Sequence, residues 1–359
     1  MADLGSPSPS VTSDLSTFEC QVSPKNTLES YRLSHSADDT VPFFQIVFKY
    51  LPSDGQRNLI EALSGCQDDN AIRQHAESLD TGLLRPMLSI GGKTPAITPS
   101  PRLDDSIDNV NSFDGQQVTH TDQQRLHRNC LARDGYQCVL TKCWDVGTTP
   151  HPPRRPVHSL QAVHILPSSL GRFGTDDEQD GMSEVWANIF RYFPSLRSHL
   201  NLMSGDVNRE DNILMMASVF HEQFRKFRFI LEATTVPNRY RLKKFPNHPY
   251  LLKYPTETFI ALTNHDDRFR DPNPEFLAVH ATIGNILNAS WRAGIIEKLL
   301  RDFEDADPLL AEDGSTDISG LLSVSRLSVL SSHRNTVDDA LIEANRGPVQ
   351  AEIQKSEDE

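Results

Sequence analysis

Apolar residues recur at helical or strand spacing only between about Asp38 and Phe303, so any packed core in this 359-residue chain must be drawn from that stretch. Residues 1–25 are dominated by Ser, Thr and Pro, and the chain beyond Asp307 is acidic and Ser-rich down to Lys355-Ser356-Glu357-Asp358-Glu359. Segments of that composition bury too little apolar area to offset the entropy of ordering them. Residues 1–37 therefore read as a disordered leader and 307–359 as a disordered tail. No run approaches the ~18 apolar residues of a membrane helix, and Met1–Pro7 lacks the basic and apolar regions of a secretory signal. Five scattered cysteines (Cys20, Cys66, Cys130, Cys138 and Cys143) read as reduced thiols. These features point to an intracellular protein, in cytoplasm or nucleus, with no membrane partner.

The net charge of -14 hides an asymmetry. Residues 123–255 carry 18 Lys and Arg against 12 Asp and Glu, while residues 1–122 carry 8 against 17 and residues 256–359 carry 9 against 20. A basic middle between acidic flanks suits a partner with a phosphate backbone, because neutralising phosphates supplies most sequence-independent affinity. An excess of six charges scattered over 133 residues is equally the mark of an ordinary solvated surface.

Val41, Phe43, Phe44, Ile46, Val47 and Tyr50 fall at helical spacings, and two further helical sets run through Leu59 to Leu63 and Ala71 to Leu84. They predict a helical unit over 38–90. Gly, Pro, Asp and Asn then mark 91–120 as a linker. Gly91-Gly92-Lys93-Thr94 is not a phosphate loop, since position 87 is Met and no strand precedes it. Residues 121–134 predict a helix and Tyr136–Thr141 a strand. Leu160–Leu166 is a second strand, Asn212–Met216 a third, Ala217–Phe227 a helix, and Phe229–Ala233 and Tyr240–Phe245 a strand pair. Pro274–Phe303 predicts a long amphipathic helix or a helix pair, a C-terminal helical segment over 274–305. Between His164 and Asn212 lies a polar insertion holding an aromatic-rich helix around Trp186, Ile189, Phe190, Tyr192 and Phe193.

Two segments carry candidate chemistry: Gln161-Ala162-Val163-His164-Ile165-Leu166-Pro167, and Asp211-Asn212-Ile213 running through Met216 to His221. One His leaves a strand, an Asn opens the next, and a second His sits on the helix that follows. Upstream stands Arg133-Asp134-Gly135-Tyr136-Gln137-Cys138-Val139-Leu140-Thr141. In this layout the sequence resembles the HNH endonuclease family, and more closely the fungal proteins that carry an HNH domain between helical flanks. The motifs cover roughly 123–245, with a looser likeness over 38–90 and 274–304. The resemblance implies an α+β protein with a central ββα-metal domain over 121–250, flanked by the helical unit and the C-terminal helix.

It also implies roles. His164 would be the general base, suited by an unperturbed pKa of ~6.5. Asn212 would hold the strand hairpin and orient that base. His221 would bind a divalent cation, Mg²⁺ first and Mn²⁺ or Zn²⁺ next, which offsets charge on the leaving oxygen. Arg225, Lys226 and Arg228, about one turn later, would reach the nucleic-acid backbone, DNA first. One departure stands out: where many relatives place an acidic metal ligand, directly before the base, this chain has Val163. No Asp or Glu occurs between Leu160 and Leu170, and Gln161 is the nearest polar group on that strand face.

Other readings stay open. His164 and His221 can be partly buried core-edge histidines, and Asn212 a turn residue. Cys138 and Cys143, with His151 or His158, fall short of the paired knuckles of a zinc ribbon, so Cys138 reads as a buried strand residue. The run Arg239–Lys244 can be an exposed strand face, a phosphate contact or a localisation signal. A degenerate HNH domain kept as a nucleic-acid or protein-binding module, or an interaction protein built on the helical flanks, also accommodates the sequence.

Overall fold

The computed structural model describes residues 28–89, 120–150, 152–171, 185–198, 207–249 and 258–305. Most of the predicted leader, linker and tail, and most of the polar insertion, lie outside these residues. Within them no helix is long and apolar enough to cross a membrane.

Four helices open the described chain: α1 (Thr40–Tyr50), α2 (Ser53–Ser64), α3 (Asp69–Leu79) and α4 (Arg85–Ser89), the last two joined by a π-turn at Asp80–Leu84. Each buries one apolar stripe, such as Phe43, Phe44 and Val47 on α1 or Leu59 and Leu63 on α2. Asp68 caps α3 by accepting from the Ala71 N–H. Part of the predicted leader belongs to this unit. Tyr31 is buried, and its hydroxyl donates to Asp38, which also accepts from the N–H of Ser34 and of Thr40. A single aromatic with a carboxylate partner orders a stretch whose composition is otherwise that of a solvated tail.

Helix α5 (His120–Arg133) leads into the middle of the molecule. The predicted strand over Tyr136–Thr141 is instead a tight turn, with positive φ at Gly135, Tyr136 and Lys142 and only an isolated bridge between Gln137 and Trp144. A two-residue parallel pair follows, β1 (Trp144–Asp145) with β2 (Val157–His158). Strands β3 (Leu160–His164) and β4 (Ile213–Ala217) then pair antiparallel, His164 opposite Ile213 and Leu160 opposite Ala217. Asn212 does not open β4 but closes the 3-10 turn Glu210–Asn212 just before it. Helix α6 (Ser218–Arg225) leaves β4 without a break.

A second sheet runs β5 (Phe229–Ala233), β6 (Arg239–Lys244) and β7 (Phe259–Ala261), all antiparallel. The third strand was not visible in the pattern, being only three residues long. Of the long helix or helix pair predicted at the C-terminal side, the structure has the pair, α7 (Pro274–Ala289) and α8 (Arg292–Asp305), broken at Ser290 and at Trp291 with φ +61°. Asn273 caps α7 through the Glu275 N–H, with Pro274 at the first turn.

Helix α7 is the hub. It packs on β5 and on α1, and Gly284 lets it approach so closely that a Cβ there would lie 2.5 Å from Ile230 Cγ2. Arg292 adds an ionic tie, pairing with Asp39 at 2.7 Å and with Asp80 at 3.3 Å while lying over the Phe43 ring. The helical segment 185–192 joins from the other side: Asn58 donates to the Arg191 carbonyl and the Tyr192 hydroxyl meets His75. One continuous apolar core thus spans the N-terminal helices, both sheets and α7.

Candidate active site

The β3–β4 pair is held from behind by the Arg133-Asp134 motif. Arg133 is fully buried and forms a bidentate ion pair with Asp134 at 2.7 and 3.0 Å. Its remaining N–H groups donate to the carbonyls of Glu210, Ile213 and Arg270. Asp134 in turn accepts from the Met215 N–H. A buried charge pair stays ionised only when its remaining hydrogen-bonding capacity is met, and here the backbone of β4 and its approach meets it. Gly135 follows at φ +65°, where a Cβ would strike the His265 ring at 2.6 Å. The motif that identified the segment in sequence is therefore the clamp that fixes the start of β4.

His164 ends β3, partly exposed, and its Nε2 donates to Asn208 Oδ1 at 3.2 Å. A carboxamide oxygen only accepts, so this contact puts the ring proton on Nε2 and the basic lone pair on Nδ1. Asn212 is buried to 1% exposure. Its Oδ1 accepts from the Leu166 N–H at 2.8 Å, while its Nδ2 donates to the carbonyls of Leu166 at 2.9 Å and Val207 at 2.8 Å. The Ile165 N–H also donates to the Asn212 carbonyl. The chain leaving His164 is thus tied at two successive residues to Asn212.

His221 projects from the first turns of α6. Burial, with the nearby Arg225 cation, pushes its pKa down to about 4, so the ring is neutral at pH 7. His164 and His221 line one shallow cleft, together with Val163, Arg225, Met87 and His280. Val163 and its neighbours bring no carboxylate to this wall, and Gln161 does not line it. Among the described residues no group of three or more His, Cys, Asp and Glu side chains is placed to hold a metal ion, the Cys138–Cys143 pair included. His151 lies outside those residues.

The three candidate phosphate contacts separate. Arg225 faces the cleft. Lys226 pairs with Glu222 on the surface at 2.7 Å. Arg228 is turned toward α8, where it meets Glu297 at 3.4 Å, so an internal carboxylate occupies it. Arg241 and Lys243 of the basic β6 run likewise face Glu232.

Two residues escaped the sequence reading, one a partner of His164 and one a cleft residue. Asn208, four positions before Asn212, orients His164 across a turn that no periodicity reveals. His280 comes from α7, 59 positions after His221. Its ring stacks between Phe224 at 3.9 Å and Phe227 at 4.4 Å, and Nε2 donates to the Phe224 carbonyl, leaving Nδ1 buried without a hydrogen-bond partner. Burial pushes its pKa down to about 3. In sequence it is one more His on an apolar helix.

No curated protein and no solved structure gives a match. Residues 138–232 match the family model described as HNH endonuclease, a span that contains His164, Asn212 and His221 and ends within β5. The family resemblance of this central segment is therefore to the HNH endonucleases, a family of nuclease-type domains.

Proposed function

We propose that the chain is a metal-dependent endonuclease that hydrolyses phosphodiester bonds in DNA inside the cell, through a ββα-metal site made of β3, β4 and α6. The observation that carries this reading is the cleft shared by His164 and His221, with Asn212 clamping the backbone that leaves His164. His164, its ring held by the Asn208 contact, takes the proton from the attacking water. Asn212 holds that ring in register and touches no substrate. Arg225, at the cleft wall, meets a phosphate oxygen, with Lys226 at the rim.

His221 is the group suited to a divalent cation, because an imidazole ligates only when neutral and burial keeps this one so. Bound there, Mg²⁺ first and Mn²⁺ or Zn²⁺ next, a cation offsets the charge developing on the leaving 3′-oxygen. The donor set among the described residues is short: Val163 brings none, and no third ligand stands beside His221. That same shortage favours a second reading, a degenerate HNH domain retained as a nucleic-acid-binding module.

Supercoiled-plasmid nicking by the purified full chain separates the two. The expected result is nicking in Mg²⁺ or Mn²⁺, abolished by EDTA and lost in both His164→Ala and His221→Ala. Nicking that survives His164→Ala overturns the assignment of the base. No nicking in any metal, with the fold intact and DNA still bound, establishes the binding module instead.

A further inference from the structure

The turn after Arg133-Asp134-Gly135 places two thiols face to face. Gln137 and Trp144 form an antiparallel bridge, so Cys138 and Cys143 are the next facing pair, and the Cys138 N–H donates to the Cys143 carbonyl at 2.9 Å. Residues directly opposite in such a pair hold their Cβ atoms about 4.5–5.5 Å apart, close to the span a disulfide bridges with little backbone movement. Each sulfur lies near enough to the other to shift its ionisation, Cys138 downward and Cys143 upward. The Thr141 hydroxyl donates to Cys143 Sγ at 3.2 Å, and the Ala217 N–H donates to Cys138 Sγ at 3.3 Å.

We propose that Cys138 and Cys143 form a reversible redox site that a hydroperoxide converts to a disulfide, independently of whether the nuclease reading holds. Cys138 is 0% and Cys143 6% exposed, so the oxidant is one as small as hydrogen peroxide, entering beside Cys143, and the Cys138 thiolate attacks its oxygen. An S–O bond forms, the O–O bond breaks, and the departing oxygen leaves as water or alcohol. The Cys143 sulfur then attacks the Cys138 sulfenic acid, the S–S bond forms, and hydroxide leaves with the Cys143 proton as water. Two thiols lose two electrons, and one peroxide gains them.

Chemistry around the pair assigns the order. The Cys143 thiol and the Ala217 N–H favour a charged Cys138 sulfur and hold its thiol below the ordinary range, while Cys143 is pushed up. Cys130, also buried, has no such donors and is pushed up to about 12 by burial, and Cys66 is raised as well. They are internal controls. The site reaches the candidate active site through Ala217, the residue at which β4 turns into the helix of His221. A disulfide sulfur carries less charge than a thiolate and holds that N–H less tightly.

Trypsin cuts after Lys142, between the two cysteines, so the test reads directly on the full chain. Hydrogen peroxide is added to the folded protein, free thiols are alkylated, and the digest is analysed by mass spectrometry. The expected product is Asp134–Lys142 joined to Cys143–Arg154, separated again by dithiothreitol. Cys138 should be consumed at least about tenfold faster than Cys130, in line with their thiolate content. In Cys143→Ser, Cys138 should stop at a sulfenic acid captured by dimedone. A joined peptide that forms only after denaturation overturns the proposal. So does peroxide treatment that leaves both cysteines alkylatable, or a Cys138 sulfenic acid that persists while Cys143 is intact.

Discussion

Asn212 grips Leu166 by both of its backbone polar groups, accepting from the N–H and donating to the carbonyl, at a distance of 46 residues along the chain. The two residues flank the mouth of the polar insertion, so the grip closes that loop and fixes the backbone just beyond His164. Replacing Asn212 by Ala strands three buried backbone groups, at about 1 kcal/mol or more each. The expected loss is about 2–4 kcal/mol in urea unfolding, with any nicking abolished. Asn212→Asp should do little better, since a carboxylate cannot donate to the Leu166 and Val207 carbonyls. A loss below about 1 kcal/mol would mean that the grip is not needed for the fold.

Arg133 holds the other side of β4. Arg133→Met leaves the Asp134 carboxylate buried without its cation, and such a break costs about 3–5 kcal/mol. Gly135→Ala should also destabilise, because the position needs a positive φ and the His265 ring already fills the space a methyl would take. Thermal melts of both variants check this. A fully stable Gly135→Ala protein would mean that the turn and the His265 segment relax without cost.

The three basic residues of the α6 region should behave differently in DNA binding by fluorescence anisotropy. Arg225→Ala is expected to weaken binding and to lower the salt slope by about one counterion. Arg228→Ala should leave binding nearly unchanged and lower stability instead, since Glu297 loses its partner. Equal losses in the two variants would contradict this division of labour.

His221 and His280 make stability depend on pH. Their folded pKa values, about 4 and about 3, lie below the unfolded value of 6.5. The unfolded state therefore binds more protons between those limits, and stability falls as pH drops below about 6.5. At about pH 5 each ring contributes a loss of about 2 kcal/mol. Unfolding free energies at about pH 7 and 5 should differ accordingly, and His280→Phe, which can still stack between Phe224 and Phe227, should remove about half of the difference. An unchanged pH dependence in that variant would show that His280 titrates normally.

The hairpin and its helix were readable in sequence because their signals are local. An apolar run ending in His164, and Asn212 and His221 on either side of a short apolar strand, need only a strand-then-helix periodicity to be placed. The 136–141 stretch misled for the opposite reason. Its Cys, Val and Leu are buried like strand residues, yet positive φ at Gly135, Tyr136 and Lys142 folds them into a turn whose hydrogen bonds go to Cys143 and Met215. Tyr31, Asn208 and His280 were invisible as ordered or functional groups, since each acts through a partner that only the tertiary fold brings near. The metal ligand set stayed short in both views, with Val163 standing where a carboxylate was looked for.

Helix α7 lies wholly outside the span that marks the nuclease-type domain, yet His280 is wedged between Phe224 and Phe227, and Gly284 seats the helix on Ile230. A fragment trimmed to 138–232 would leave those three apolar residues facing water and would remove one wall of the cleft. The portable unit here is larger than its motif: transplanting the chemistry into another scaffold means carrying the C-terminal helix along, and the motif and that helix are bound to stand or unfold together.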